Sequence, residues 1–148
     1  MSKINYSKVL LGGIVAGIVW IAVDAASYML LGMDTMDAWF AQHDLREPPM
    51  AVFFGMDLLF GLMAVWLYAA IRPRFGPGPR TAATAALYIW LLFTVVYFGL
   101  HMMGLFTPGD YAKSAAFGFV TVMAATMAGA WLYREGCLLY TSPSPRDS

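Results

Sequence analysis

The sequence predicts an all-α fold in which four transmembrane helices form an antiparallel bundle, and three observations lead to this prediction. Hydrophobic residues make up 60% of the 148-residue chain and charged residues only 12%, whereas an average soluble domain has roughly 25% charged residues. Apolar runs of about 20 residues recur without the regular polar interruptions of a soluble core. Short connections rich in proline and glycine separate these runs, which makes consecutive helices antiparallel neighbours.

The four predicted spans cover about residues 9–31, 50–71, 81–106 and 114–133. Each is long enough to cross about 30 Å of hydrocarbon at about 1.5 Å per residue. The first span is longer than the apolar region of a signal peptide and is not followed by a small-residue cleavage site. We therefore expect it to be retained as a transmembrane helix.

The last twelve residues, Cys137 to Ser148, differ abruptly in composition from the rest of the chain. Residues 137–147 resemble the translation of a sequencing-library adapter, so we expect a membrane domain over 1–136 and a non-native tail over 137–148. The alternative is a genuine disordered tail rich in serine and proline. If the tail derives from an adapter, the only cysteine of the chain supports neither a disulfide nor thiol chemistry.

The distribution of lysine and arginine predicts the orientation, because positive charge is retained on the cytoplasmic side. The first and third loops carry only Arg46 and Lys113, together with most of the acidic residues. The opposite ends of the helices hold the other basic residues of 1–136, namely Lys3, Lys8, Arg72, Arg74, Arg80 and Arg134. Both native termini are therefore predicted to lie in the cytoplasm of a bacterial-type inner membrane.

Three ionisable residues, Asp24, Asp57 and His101, interrupt otherwise apolar spans. Counted from the predicted outer helix ends, all three lie about 8 to 10 Å below the outer surface of the hydrocarbon. A charged side chain facing lipid costs at least about 2.5 kcal/mol, so we expect these groups to point into the bundle. Helical spacing places Thr94 and Tyr97 on the same face as His101, and small residues such as Gly13 and Gly17 beside Asp24.

Two interpretations of this polar cluster stay open. In the first, the side chains form interhelical hydrogen bonds that fix helix register, each stabilising the bundle by about 1 kcal/mol. In the second, the carboxylates bind and release protons or cations from the periplasmic side. Fixing the helix register would not require two carboxylates and an imidazole. The second interpretation is therefore retained beside the first.

Other polar groups have simpler explanations. His43 and the acidic residues of the first loop, Asp34, Asp37, Asp44 and Glu47, show no metal-ligand spacing and are typical of a solvated loop. The arginines Arg72, Arg74 and Arg80 determine topology or contact anionic lipid. The net charge is zero and no basic stripe is present, so nucleic acid is not an expected partner. No phosphate loop or nucleophile motif indicates an enzyme.

Two segments, Trp66 to Arg80 and Ala128 to Glu135, both contain the tripeptide Trp-Leu-Tyr. Together with the opening run Leu10 to Gly17, they resemble a group of small bacterial membrane proteins of uncharacterised function. The resemblance implies a four-helix inner-membrane protein and supplies no activity. Small multidrug exporters are the nearest functional analogy, but this chain is longer, has a stronger charge bias and carries an aspartate where they have a glutamate. The tripeptide also hints at a duplicated helical hairpin.

These observations lead to a leading hypothesis and an alternative. The leading hypothesis is a non-enzymatic envelope protein without a cofactor, whose polar interior stabilises helix packing in the lipid bilayer and in a homo-oligomer. The alternative is a small proton-coupled transporter or channel subunit that uses Asp24, Asp57 and His101.

Overall fold

The computed structural model describes residues 4–31 and 39–133. Over these ranges the chain forms four long helices, α1 (Tyr6–Leu31), α2 (Met50–Phe75), α3 (Pro79–Met102) and α4 (Pro108–Leu132). All four are long and apolar enough to cross a membrane, which confirms the predicted all-α fold. The predictions for Lys3, Asp34, Asp37, Arg134 and the tail 137–148 fall outside the described residues.

The connection between α3 and α4 lies elsewhere than the sequence predicted. Helix α3 ends at Met102 rather than at residue 106, and Gly104 follows with a φ of 81°, a left-handed conformation that ends helices. Helix α4 begins at Pro108 rather than at residue 114 because Thr107 caps it: the Thr107 hydroxyl accepts a hydrogen bond from the Asp110 backbone N–H at 3.1 Å. A capping threonine followed by proline is a strong start signal for a helix.

Helix α1 is the centre of the bundle, since it packs along both α2 and α4, while α3 packs mainly along α4 and meets α2 less closely. Glycines allow α1 to pack closely against both α2 and α4. A Cβ atom added to Gly61 would collide with the backbone of Gly17, and one added to Gly12 would lie 2.7 Å from the carbonyl oxygen of Gly129. These backbones can approach closely only because no side chains separate them.

The bundle consists of a packed half and an open half. The packed half comprises residues 4–20, 61–86 and 121–133, and it contains every buried residue of the part of the chain that the structure describes. The open half comprises residues 21–31, 39–60 and 87–120, and its described side chains are all half-buried or exposed. The four helices therefore form a tight core at one end of the bundle, and the side chains at the other end are less buried.

The two Trp-Leu-Tyr tripeptides occupy equivalent places in the packed half. The rings of Tyr68 and Tyr133 meet edge to face with their centroids 5.9 Å apart. The Tyr68 hydroxyl accepts a hydrogen bond from the backbone N–H of Gly78, just before α3, at 3.3 Å, and the Tyr133 hydroxyl accepts one from Asn5, just before α1, at 3.2 Å. Each tyrosine thus fixes the start of a helix whose first N–H groups lack intrahelical partners.

Candidate polar site in the open half

Asp24 of α1 and Thr121 of α4 form a hydrogen bond between the side chains of two helices. The Thr121 hydroxyl donates to Asp24 Oδ1 at 2.8 Å, and the side chain of Trp20, one turn earlier on α1, lies near this carboxylate. Thr121 is 1% exposed, so its hydroxyl has little access to water. The bond joins the first helix of the chain to the last at the boundary between the two halves.

Asp57 of α2 lies close enough to Asp24 for the two carboxylates to interact electrostatically. Its side chain is half-buried, yet no hydrogen bond to it is found within residues 4–31 and 39–133. Tyr97 of α3 is also near enough to Asp24 for an electrostatic interaction, whereas the Thr94 hydroxyl donates to the carbonyl oxygen of Trp90 on its own helix at 2.8 Å. The structure therefore brings Asp24, Asp57 and Tyr97 into one polar layer.

Three aromatic rings separate this layer from the packed half. The ring centroid of Trp20 lies 5.5 Å from that of Phe60 and 6.2 Å from that of Phe93, and Phe60 and Phe93 are 5.0 Å apart. Each ring belongs to a residue three or four positions from a polar one, which corresponds to about 4.5 to 6 Å along a helix. The rings form an apolar layer next to Asp24, Asp57 and Tyr97, on the side of the packed half.

The first loop contributes a further aromatic contact that the sequence did not reveal. The Trp39 indole N–H donates to the carbonyl oxygen of Leu105 at 2.7 Å, and its ring stacks on Phe106 at 5.4 Å. Phe106 in turn packs against Tyr97 at 5.5 Å. The structure thus packs Trp39 onto the connection between α3 and α4, a pairing of distant segments that sequence periodicity does not encode.

The contacts of His101 in the described residues are with the loop after α3 and with α4, not with the two aspartates. Its Nδ1 is 2.7 Å from the carbonyl oxygen of Phe106, and its ring stacks on Tyr111 with a centroid distance of 5.5 Å. His101 follows Tyr97 by one helical turn, about 6 Å further towards the open end. The predicted common depth assumed a span reaching residue 106; because α3 ends at Met102, His101 occupies its last turn and binds the following loop.

The remaining candidate residues lie at the two ends of the bundle. His43 Nδ1 is 2.8 Å from the carbonyl oxygen of Trp39, and no group of three metal-ligating side chains is found within the described ranges. At the other end, the Arg72 guanidinium lies over the Tyr133 ring at 5.5 Å, a cation–π contact. Arg74 and Arg80 are exposed, so the three arginines do not share one environment.

The fold and the site define a class: four long apolar helices with a polar layer inside fit an integral, multi-pass membrane protein. No protein-family model matches the chain, and no curated protein and no solved structure is significantly similar to it. The resemblance to small bacterial membrane proteins, drawn from Trp66 to Arg80 and Ala128 to Glu135, therefore stays a prediction.

Proposed function

We propose that the chain is a non-enzymatic protein of a bacterial inner membrane with its packed half on the cytoplasmic side. The charges support this orientation, because Lys8, Arg72, Arg74 and Arg80 all belong to the end of the bundle that contains the packed half. Only Arg46 and Lys113 belong to the opposite end, and positive charge is retained in the cytoplasm. The lipid bilayer is the proposed partner, and a second copy of the chain is a further one because four helices enclose little volume.

The hydrogen bond between Thr121 and Asp24 supports a structural role for the first aspartate. It links two helices that are far apart in sequence, and such bonds in membrane bundles stabilise by about 0.6 to 2 kcal/mol. In this role Asp24 fixes the register of α1 against α4.

A second function, that of a small proton-coupled transporter or channel subunit, is favoured by Asp57. Register does not account for a half-buried carboxylate that has no hydrogen bond within the described residues and lies near another carboxylate. An ionised carboxylate within hydrocarbon costs at least about 2.5 kcal/mol. A proton or another cation that enters from the open half would relieve the repulsion between Asp24 and Asp57.

Proton flux into vesicles tests this second function. Purified protein is reconstituted into proteoliposomes that enclose a pH-sensitive dye, and a pH gradient is imposed across the membrane. We expect wild-type protein to accelerate the decay of the gradient, Asp57→Asn to abolish that acceleration, and Asp44→Asn, an exposed loop carboxylate, to retain it.

The same variants separate the two functions. The transport function would be excluded if a folded Asp57→Asn protein transported protons like wild type, or if the wild-type protein showed no flux. The structural function would then be the remaining one. Unfolding of both Asp24→Asn and Asp57→Asn would show that both carboxylates are required for packing.

A further inference from the structure

The first loop, which joins α1 to α2, is attached to the connection between α3 and α4 at the open end of the bundle. The Trp39 indole N–H donates to the carbonyl oxygen of Leu105 at 2.7 Å. The Trp39 ring stacks on Phe106 with a centroid distance of 5.4 Å and an interplanar angle of 12°. Because the two connections belong to different helical hairpins, this contact bridges the hairpins at the open end.

Further contacts hold both rings of this stack in place. His101 Nδ1 lies 2.7 Å from the Phe106 carbonyl oxygen, which attaches Phe106 to the last turn of α3. The His43 ring lies 4.5 Å from the Trp39 ring, and His43 Nδ1 is 2.8 Å from the Trp39 carbonyl oxygen. Trp39 is thus held by two ring contacts and by its hydrogen bond to Leu105.

From Trp39 the ring contacts continue inward to the polar layer. Phe106 packs against Tyr97 at 5.5 Å, and Tyr97 is near enough to Asp24 for an electrostatic interaction. Tyr97 precedes the end of α3 at Met102 by five residues, which is about 7.5 Å along the helix. Phe106 and Trp39 therefore lie between the polar layer and the open end.

The polar layer has little other access to water. On the side of the packed half, the three aromatic rings next to the layer contact one another. Asp24 is exposed and Asp57 is half-buried, so the helices do not enclose the carboxylates fully. In a membrane, however, the sides of the bundle face hydrocarbon, which contains no water. Water and dissolved ions therefore reach the carboxylates from the open end, past Trp39 and Phe106.

We propose that Trp39 forms an access barrier, which restricts the passage of water and dissolved cations from the open end to Asp24 and Asp57. The ring obstructs this route while the indole N–H is bonded to Leu105, and local opening of the attachment admits protons or other cations. The strength of the attachment then determines how fast the carboxylates exchange with the outer solution. The role of the barrier rests on the proposed transport function, in which Asp57 binds the proton or cation.

Chemical modification of Asp57 tests the barrier. Full-length protein in lipid nanodiscs, where both faces of the bilayer meet water, is treated in mildly acidic buffer with a carbodiimide, which reacts with carboxyl groups. One sample receives a water-soluble, cationic carbodiimide, which has to pass Trp39, and another a lipid-soluble carbodiimide, which arrives through the hydrocarbon. Mass spectrometry measures the rate of modification at Asp57 and at Asp44, an exposed carboxylate of the first loop.

We expect Trp39→Phe, which keeps a ring but removes the indole N–H, to raise the rate of the water-soluble reagent at Asp57 about fivefold, the factor that corresponds to one hydrogen bond. Trp39→Ala should raise this rate further. The rate of the lipid-soluble reagent at Asp57 and that of the water-soluble reagent at Asp44 should not change. Trp66→Ala, which removes an exposed indole in the packed half, is the matched control and should react like wild type.

Equal rates of the water-soluble reagent in wild type and both Trp39 variants would overturn the barrier. A parallel rise with both reagents would also overturn it, because it would show that the substitutions loosen the helices. If Trp39→Ala does not fold, the comparison of Trp39→Phe with wild type decides. If the barrier fails while Asp57→Asn abolishes flux, the transport function stands. If the rates depend on Trp39 but the wild-type protein shows no flux, the barrier stands and the transport function fails.

Discussion

At the scale of single residues, two threonines on α4 have opposite environments despite similar burial. Thr121 is 1% exposed and donates to Asp24, whereas Thr126 is fully buried and its Oγ1 has no hydrogen-bond partner among the described residues. Removing a hydroxyl that donates a hydrogen bond to a carboxylate takes that bond from the carboxylate. Removing a buried hydroxyl that has no hydrogen bond instead removes the free-energy cost of burying it. The two side chains therefore predict opposite effects of the same substitution.

We expect Thr121→Val to lower the free energy of unfolding by about 1 to 3 kcal/mol. Valine has nearly the shape of threonine, so Thr126→Val should leave the stability unchanged or raise it. Unfolding of the purified variants in mixed detergent micelles, followed by circular dichroism, measures both. Equal losses in the two variants would contradict the assignment of the Asp24 hydrogen bond to Thr121.

The polar layer shows which residues of the site the sequence can predict. Asp24 and Asp57 are ionisable groups in apolar spans, so the cost of exposing them to lipid already directs them inward, and helical spacing placed Tyr97 on the same face as His101. Thr121 was missed because a threonine is unremarkable in an apolar helix, and its register against Asp24 depends on how α1 crosses α4. His101 was assigned to the same layer because its depth was counted from a helix end that the structure does not have.

At the scale of helices, glycine positions determine which surfaces meet. Gly61 contacts the backbone of α1 at Gly13 and Gly17, while Gly55, also on α2, has open space where its Cβ would be. We expect Gly61→Ala to push α1 and α2 apart and to destabilise the protein by about 1 to 3 kcal/mol. Gly55→Ala should be neutral or stabilising by up to about 1 kcal/mol, since alanine has the higher helix propensity.

The same detergent unfolding measurement compares the two glycine variants. If Gly61→Ala were as stable as Gly55→Ala, the close contact between α1 and α2 would be refuted. The sequence predicted Gly13 and Gly17 at an interior surface, but it gave no sign of the second contact between Gly12 and Gly129, because two glycines on distant helices carry no common spacing.

Helix lengths could be predicted from hydropathy, whereas helix ends depended on local chemistry that hydropathy ignores. The segment Thr107 to Asp110 carries a recognisable capping pattern, a threonine followed three residues later by an acidic side chain. That pattern was interpreted only as a helix breaker. In the structure, the Thr107 hydroxyl also donates to Asp110 Oδ2 at 2.6 Å, so the same residues that separate α3 from α4 also begin α4.

At the scale of the whole molecule, the difference between the two halves follows from residue size. The packed half is rich in glycine and alanine, such as Gly12, Ala16, Ala82 and Ala86, and it contains all the buried positions among the residues that the structure describes. The open half has large aromatic side chains at its contacts, such as Phe93 against Trp20 and Phe60 and Trp39 against Phe106. The distribution of small and large residues along the helices thus indicates which end of the bundle is tightly packed. This distribution becomes clear only when all four helices are compared.

The predicted orientation has a direct consequence for which loops face the outside of the cell. In a Cys137→Ser background, we expect Gly109→Cys, in the connection before α4, to react in intact cells with a thiol reagent that cannot cross membranes. Pro77→Cys, between α2 and α3, should react only after the cells are opened, because the adjacent Arg72, Arg74 and Arg80 keep that loop in the cytoplasm. Both positions are exposed, so accessibility within the protein does not distinguish them. Labelling of Pro77→Cys in intact cells would place the packed half outside and reverse the proposed direction of proton entry.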